Sequence, residues 1–539
     1  MRPPTASRPR ASLTSSGAEV RLLSPARNPT ACALLTGMLF VLAFPRPHFT
    51  LLGFLALAPL LATLTYPRSR WRGLWLGQLA GMVFFAGTCN WIYGVMRTFG
   101  HLSPPAAAGV LGLFVVCFAL FLAFFALLFA ELARRWQFLA LAAAPFIWVA
   151  LEWLRTFIFF GGFPWNLLGY AVAPHIGWIQ PAAYVGVYGV SFLLAAVNAL
   201  VAGYWRAPSR RGAILLATLA VVLLITDLWG RRLPPVPTDQ EAILVQTNLP
   251  QQEEFDPAWA SKNTAVLDQL DLLTTRAARL QDSASSTLIL WPEVPVSFYF
   301  HYDPAIRDRF LHLAQATRSY LLLGIMDFRT GDDGRSHALN SAVLLSPRGE
   351  FIGQYDKIHL VPFGEYLPLA SWLRSLGPLV DEVSDFQPGD WPVLLSAGQG
   401  KLAVVICYEA IFPGQVREAV ERGAGVLVNI SNDGWYGRSA AAEQHLNMAR
   451  LRAVETRRFL LRATNTGITA VVDPYGRVVA RAPSFERATL PAGFAFRGEQ
   501  SSYTQAGDWF AALCALVSGA LLARKIWVDA VEGAVHGTD

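Results

Sequence analysis

Residues 401–409, KLAVVICYE, decide the fold of this chain, because they read as an apolar strand that ends in a cysteine. The β-branched run before Cys407 is typical of a strand buried on both faces. Pro413 then favours the first turn of a helix. A cysteine on a strand-to-helix turn exposes its sulfur, with backbone N–H groups nearby that can bind an oxyanion. Cys407 is therefore a candidate nucleophile, and the alternative is a structural cysteine, since free cysteine is commonly buried.

Strands and helices alternate on both sides of this stretch. The predicted strands are 241–248, 287–291, 320–327, 338–346, 350–355, 402–406, 426–431, 468–473 and 477–480. The predicted helices are 257–280, 304–318, 413–422 and 441–459. Pro/Gly turns at 347–349 and 474–476 join two pairs of strands into hairpins. This alternation predicts a layered α/β domain with a mixed sheet over residues 231–500.

Outside that domain the chain is apolar enough for a membrane. Hydrophobic residues make up 53% of it and charged residues 15%, with a mean hydropathy of +0.37. Seven apolar runs precede the domain, at 30–45, 50–65, 73–95, 106–132, 138–154, 180–205 and 212–229. A membrane-spanning helix needs about 20 apolar residues. We therefore expect a transmembrane bundle of about seven helices over 30–230, with the first two short runs as a possible re-entrant pair, and a final span at 505–525.

Basic residues follow every second apolar run, and such residues mark the cytoplasmic side of a membrane. They are Arg68, Arg70, Arg72, Arg134, Arg135, Arg206, Arg210, Arg211, Arg524 and Lys525. Arg231 and Arg232 follow the seventh run and are exceptions to this alternation. Residues 1–29 and 526–539 are thus expected as cytoplasmic tails, and the domain outside, which for a bacterial inner membrane is the periplasm. The same arginines account for the net charge of +6 without a nucleic-acid partner.

Cys407 stands apart from the other cysteines. The chain has five, and Cys32, Cys89, Cys117 and Cys514 all lie in apolar runs. Cys407 consequently has no disulfide partner within the domain. An unpaired thiol is a hazard in an oxidising compartment unless it has a function, which favours a nucleophile.

Two further motifs hold the groups that a thiol nucleophile needs. Residues 290–293, LWPE, end in Glu293, and residues 355–368, YDKIHLVPFGEYLP, contain Lys357. A carboxylate can take the proton of the thiol, and an ammonium group stabilises both the thiolate and an oxyanion. Taken separately, Glu293 also fits a helix cap or a surface charge, and Lys357 fits a solvated loop residue.

The order and spacing of Glu293, Lys357 and Cys407 resemble the catalytic set of the nitrilase (carbon–nitrogen hydrolase) superfamily. The resemblance covers residues 240–495 and implies an αββα sandwich. With the flanking apolar runs, the SNDGWYG motif at 431–437 and the loop GGFPWNLLGY at 161–170, the whole chain is similar to the apolipoprotein N-acyltransferase family of Gram-negative inner membranes.

That family resemblance implies a two-step reaction in the membrane. A phospholipid donates an acyl chain to Cys407 as a thioester, and the N-terminal amine of a diacylated lipoprotein accepts it. Two other classes remain open: a membrane-tethered amidase acting on a small amide, and a transporter with a non-catalytic domain. Few charges lie within the spans, which argues against transport. A monomer without a cofactor is expected.

Three residues are candidates for supporting roles. Glu365 resembles a motif glutamate that orients Lys357 or the base. The backbone N–H of Tyr408 is the natural second oxyanion donor. Glu409 either positions a loop or places a favourable charge at a helix N-terminus.

Candidate substrate-binding residues are aromatic. Trp435 and Tyr436 either line the acyl chain or pack within their loop, and Phe255 stands where the family often has a tryptophan. The loop at 161–170 is expected mainly as an anchor in the aromatic belt of the membrane interface, or else as a lip for lipid entry. The nine histidines show no metal-ligand spacing, and no nucleotide-binding glycine motif occurs.

Overall fold

A helical bundle occupies the first part of the chain. The computed structural model describes residues 28–66, 69–250, 259–281, 287–293, 298–330, 334, 336–368 and 386–536. The bundle helices are α1 (Pro29–Ala43), α2 (Ala58–Leu64), α3 (Arg70–Thr88), α4 (Trp91–Thr98), α5 (Pro104–Ala133), α6 (Gln137–Arg155), α7 (Ile176–Ile179), α8 (Ala182–Arg206) and α9 (Arg210–Arg231). The apolar runs are therefore helical. In lipid the backbone N–H and C=O groups of a single segment can bond to one another only in a helix.

Fewer of these helices are long enough to cross a membrane than the seven expected. Among the described residues, α5, α6, α8 and α9 have the length and hydropathy of spans, and α3 with α4 forms a further candidate that bends by 54°. The helix α1 has 15 residues, and at 1.5 Å per residue it falls short of a hydrocarbon core about 30 Å thick. The first two runs thus have the lengths of a re-entrant pair.

The α/β domain follows, and a long helix closes the chain. Its strands are β1 (Gln240–Gln246), β2 (Leu288–Leu290), β3 (Tyr320–Thr330), β4 (Ser336–Leu345), β5 (Phe351–Asp356), β6 (Leu394–Ala397), β7 (Gly400–Ile406), β8 (Val426–Ser431), β9 (Leu460–Thr464), β10 (Ala470–Val472), β11 (Val478–Arg481) and β12 (Ala488–Phe494). Its helices are α10 (Trp259–Lys262), α11 (Thr264–Arg279), α12 (Pro304–Thr317), α13 (Pro413–Glu421) and α14 (Ala441–Thr456). After the domain come α15 (Ser502–Ala506) and the apolar α16 (Trp509–His536).

Two six-stranded sheets pack face to face in the domain. Their strand orders are β12-β1-β2-β3-β4-β5 and β11-β10-β9-β8-β7-β6, with parallel centres and antiparallel edges. Side chains alternate along each strand, so Leu244 and Val404 meet between the sheets, whereas Ile243 and Val405 face outward. Helices α10 to α12 cover one outer face, and α13 and α14 cover the other. The predicted αββα sandwich beside a helical bundle is confirmed.

Helix α14 is buried on every side because it lies between the domain and the bundle. One side of the helix packs on the sheet through Ala442, Leu446, Ala449 and Ala453, and on the other side Met448, Leu451 and Val454 join the apolar core of the bundle. Polar side chains on the same helix bond to the bundle: Gln444 accepts from Trp165 Nε1 at 2.7 Å, and Glu455 accepts from the Val187 N–H at 2.9 Å. One continuous core therefore joins the bundle to the domain.

The loop at 161–170 corrects an expectation from the sequence. Trp165 and Tyr170 are fully buried, so they do not anchor the chain in an interfacial belt. Instead, the indole N–H of Trp165 donates to the Gln444 side chain. The carbonyl of Gly162 accepts a hydrogen bond from the Tyr408 hydroxyl at 3.1 Å. The indole was expected at the lipid surface because its ring is amphipathic, but its N–H finds a buried acceptor on the domain.

Candidate active site

Glu293, Lys357 and Cys407 meet at one end of the sandwich. Glu293 lies just beyond β2, Lys357 follows β5, and Cys407 follows β7. The distance from Lys357 Nζ to Glu293 Oε1 is 3.2 Å, and Cys407 interacts electrostatically with both groups. The exposed fractions of the three residues are 4%, 1% and 5% in chain order. The structure thus brings together three groups that are distant in sequence, in a site from which bulk water is largely excluded.

Lys357 carries a buried positive charge that two carboxylates share. Besides Glu293, the Glu365 carboxylate lies 2.7 Å from Nζ, and its other oxygen accepts the Val361 N–H at 2.8 Å. Burial disfavours the ammonium form, but Glu365, Glu293 and Cys407 together outweigh it and hold the pKa of Lys357 above its usual value. Lys357 therefore stays protonated, and Glu365 lies where the sequence placed a helper of the lysine.

Cys407 is neutral at rest and strained in its backbone. Burial, with Glu293 and Asp433 nearby, raises the pKa of the thiol, and Lys357 together with a Ser431 hydrogen bond only partly offsets this. The residue has φ of +50°, a left-handed conformation that costs a non-glycine residue about 1–3 kcal/mol. A neutral thiol needs a base, and the Glu293 carboxylate is the nearby group able to take its proton.

Asn340 links the two carboxylates and was not identified from the sequence. Its Nδ2 donates to Glu293 Oε1 at 2.9 Å and to Glu365 Oε1 at 3.0 Å. The Lys357 N–H donates to the Asn340 carbonyl at 2.9 Å, so one residue of β4 positions both acids and the lysine. The available signal was an asparagine in the buried part of β4, where Ser341 is the other polar residue.

Glu409 is a buried node between the nucleophile turn and the lysine loop. Its carboxylate accepts the N–H groups of Ile358 at 2.7 Å, His359 at 3.1 Å and Ile406 at 2.7 Å. The Tyr355 hydroxyl donates to the same carboxylate at 2.8 Å. Glu409 therefore does both things expected of it: it lies in the first turn of the 3₁₀ helix Cys407–Ile411, and it positions the lysine loop through the Ile358 and His359 N–H groups.

Comparisons with known proteins cover both parts of the chain. The family model for carbon–nitrogen hydrolases matches residues 242–496, and that for the apolipoprotein N-acyltransferase N-terminal domain matches residues 36–200. The apolipoprotein N-acyltransferase of Geobacter metallireducens is 37% identical over 92% of this chain and 94% of its own length. The chain belongs to the apolipoprotein N-acyltransferase family. The protein of that name from Methylococcus capsulatus is 34% identical over 92% of this chain and 95% of its own.

A solved structure is also similar to the domain. An amidase from Nesterenkonia sp. matches over 51% of this chain and 95% of that one, with 22% identity and a TM-score of 0.35. The family assignment rests on the sequence matches, which extend through the bundle.

Aromatic side chains join the site of this family member to its bundle. Tyr436 lies 4.9 Å from Trp91 between ring centroids, and Trp435 lies 4.7 Å from Phe99. The ring of Tyr436 also comes within electrostatic range of Cys407. Both aromatic residues of the 431–437 motif are half-buried and pack on α4 or its end, and Tyr436 also lies near the site.

Two remaining expectations concern Phe255 and metal binding. Phe255 lies outside the described residues, and its contact with substrate stays a prediction. In the ranges that the structure describes, no group of three His, Cys, Asp or Glu side chains could hold a metal ion.

Proposed function

We propose that this chain transfers an acyl chain from a membrane phospholipid, through a thioester on Cys407, to the N-terminal amine of a diacylated lipoprotein. The observation that carries the proposal is the buried Glu293–Lys357 pair beside Cys407, on a domain whose core is continuous with the bundle. A site built in this way takes lipid-anchored substrates from the bilayer and protects a thioester from water. Family membership supports the same activity.

In the first step, Glu293 takes the thiol proton as the sulfur attacks the ester carbonyl of the phospholipid. The tetrahedral oxyanion forms beside the ammonium group of Lys357 and the backbone N–H of Tyr408. The carbon–oxygen ester bond then breaks, and protonated Glu293 returns its proton to the departing alkoxide. The products are a lysophospholipid and an acyl-Cys407 thioester, with Glu293 again ionised.

In the second step, Glu293 removes a proton from the incoming amine as its nitrogen attacks the thioester carbonyl. The carbon–sulfur bond breaks, and the sulfur leaves as a thiolate next to Lys357. Glu293 returns the proton to that sulfur, so the enzyme ends in its starting state and the lipoprotein holds a new amide. In both steps, Asn340 and Glu365 hold the Glu293 carboxyl group and the Lys357 ammonium group in position.

We also propose that the protein crosses the bacterial inner membrane several times as a monomer, with its catalytic domain in the periplasm. Arginines at the ends of the second, fourth and sixth apolar runs support this orientation. A short re-entrant pair in place of the first two spans leaves the orientation unchanged, because an even number of crossings is removed.

Mass spectrometry of the purified protein with phospholipid tests the chemistry. The unaltered protein should gain one acyl group on Cys407, and Cys407→Ala should lose both the adduct and transfer to a lipopeptide. Cys117→Ala is the matched control and should retain both. Activity retained by Cys407→Ala would remove the nucleophile assignment, and turnover of a small amide without phospholipid would favour a membrane-tethered amidase.

Reporter fusions test the topology. Alkaline phosphatase joined after residue 232 should be active, since that point lies outside the cytoplasm in the proposed arrangement. A fluorescent protein that folds only in the cytoplasm should be dark at the same position. The opposite pair of results would place the catalytic domain on the cytoplasmic side.

A further inference from the structure

A fully buried polar cluster lies behind Cys407, and the proposed reaction does not use it. Its members are His445 on α14, Asp433 after β8 and Arg462 on β9, each with at most 1% of its surface exposed. Burying two charged groups and an imidazole in a domain core is costly unless they bond to one another. Here they do, and one hydrogen bond joins the cluster to the backbone of the nucleophile.

That contact is a hydrogen bond to the backbone of the nucleophile. His445 Nε2 lies 3.1 Å from the carbonyl oxygen of Cys407. A carbonyl oxygen only accepts, so Nε2 carries a proton. Burial and the charge of Arg462 hold the pKa of His445 below its usual value, against the opposing effect of Asp433. The proton on Nε2 is the one that binds the Cys407 carbonyl, and on the other side of the ring Nδ1 lies 3.1 Å from Asp433 Oδ1.

The other side of the ring is fixed by an ion pair. Arg462 Nη2 lies 2.8 Å from Asp433 Oδ2 and 3.1 Å from His445 Nδ1, so one guanidinium group holds both partners. Burial opposes ionisation of Asp433, but Arg462 and His445 outweigh it and lower its pKa to about 2. Ser431 donates to the same carboxylate at 3.0 Å, and Arg462 also donates to Asn429 Oδ1. The imidazole thus has one orientation.

The geometry of a peptide bond gives this contact its consequence. The C=O of Cys407 and the N–H of Tyr408 belong to one planar trans unit, so they point in opposite directions. Fixing the carbonyl from behind therefore fixes the direction of the Tyr408 N–H in front. Tyr408 is the second residue of the short 3₁₀ helix Cys407–Ile411, where an N–H has no acceptor within the helix.

The same segment also holds the base. Asn432, the residue before Asp433, donates its backbone N–H to Glu293 Oε2 at 2.8 Å. Residues 432 and 433 therefore position the carboxylate that takes the proton and, through His445, the peptide that receives the oxyanion. A shift of either would change the distance between base and nucleophile.

We propose that His445 is a positioning residue, held by Asp433 and Arg462. It fixes the Cys407–Tyr408 peptide while Cys407 is in its left-handed conformation, and so directs the Tyr408 N–H at the developing oxyanion. The inference rests on the proposed function, because it assigns a role within the same acyl transfer. It predicts that loss of the His445 donor impairs steps that form an oxyanion and spares reactions of Cys407 that form none.

Two reactions of one sulfur separate these cases. Acylation by a diacyl phosphatidylethanolamine in detergent micelles passes through an oxyanion, whereas alkylation by iodoacetamide displaces iodide and forms none. With His445→Leu, single-turnover acylation followed by mass spectrometry should slow by about 10²–10³-fold, the usual effect of losing one oxyanion donor. Alkylation of Cys407 should change by less than about threefold. His445→Gln, whose amide nitrogen can replace Nε2 as donor, should recover much of the acylation rate.

The control is Thr456→Val, which removes a buried hydroxyl that donates to Arg452 O on the same helix, away from the site. It should leave both rates near those of the unaltered protein. The inference is overturned if His445→Leu acylates at the normal rate, if acylation and alkylation fall together, or if His445→Gln is as slow as His445→Leu. Failure of the proposed function looks different, since the unaltered protein would then form no acyl adduct while still being alkylated.

Discussion

The ammonium group of Lys357 links the charged side chains of the site. It contacts Glu293 and Glu365 directly and lowers the cost of a negative charge on Cys407. Removing one partner from such a buried set leaves an uncompensated charge, which typically costs about 3–5 kcal/mol. Lys357 thus influences both the stability of the site and the reactivity of the thiol.

Replacing Lys357 with methionine should slow alkylation of Cys407. Burial already raises the pKa of this thiol, and loss of the cation raises it further, so less thiolate is present at any pH below that pKa. A nearby opposite charge shifts a pKa by about 1–3 units, which predicts a rate about 10–10³-fold lower at neutral pH. The iodoacetamide rate, measured from pH 6 to 9, should rise with pH in both proteins. Lys401→Met, at an exposed lysine in the second position of β7, is the matched control, and an equal effect of both changes would contradict this role.

At the scale of residues, the sequence predicted the reactive groups but not Asn340 and His445, which position them. Glu293, Lys357 and Cys407 each stand in a recognisable motif next to a strand. Asn340 and His445 act on partners that lie 47 and 38 residues away. A single sequence does not say which buried polar side chain faces which, so such pairs become visible only when the sheets are assembled.

At the scale of elements, the loop between α6 and α7 is shaped by one glycine. Gly162 has φ of +100°, and a methyl group there would lie 1.8 Å from the Thr156 carbonyl oxygen. Its own carbonyl accepts the Tyr408 hydroxyl. Backbone in this conformation favours glycine, and the close approach leaves no room for a side chain.

Gly162→Ala should therefore lower both the midpoint of thermal unfolding and the acylation rate. Gly423→Ala is the matched control, because Gly423 has φ of +104° but open space around it. Both changes carry the cost of a left-handed alanine, and only the first adds a clash with backbone. Differential scanning fluorimetry should show a decrease several degrees larger for Gly162→Ala. Equal decreases would mean that the close packing of this loop has no importance.

Most elements of the domain followed from hydrophobic patterning, but strands β6, β9 and β12 were not predicted. Strand β9 has only five residues with Arg462 in the middle, and it begins four residues after α14 ends, so it gave no separate strand signal. Strand β12 was not predicted, since Pro491 interrupts its pattern; it forms the edge of its sheet, where a missing N–H is tolerated. Strand β6 has only four residues and little pattern to detect. Helix α14 was predicted, but its polar residues were given no role, and Gln444, Glu455 and His445 meet the bundle and the site.

At the scale of the whole molecule, the core does not stop at the domain boundary. Tyr408, Ile411 and Phe412, next to the nucleophile, belong to the same apolar cluster as the bundle helices. The three residues lie in or beside the turn that presents Cys407. Packing around the nucleophile is thus shared between two regions that the sequence divides at about residue 230.

Residues 231–500 produced alone should fail to form a stable, reactive domain. Without the bundle, the face of α14 and the turn at 407–412 would expose apolar surface that the intact protein buries. Size-exclusion chromatography should show aggregation. The rate at which iodoacetamide alkylates Cys407 should differ from the rate in the full chain. A monodisperse fragment that is alkylated as in the full chain would contradict this dependence on the bundle.

The position of α14 has a consequence for biogenesis. A ribosome releases α1 to α9 first, so the membrane-embedded helices exist as a template before the later half of the chain emerges. The domain then folds on that template, and in the proposed topology α16 inserts last and packs against α6. An insertion machinery that delayed the early helices would release a nascent domain with nothing to fold upon, and quality-control proteases would meet it before any substrate lipid did.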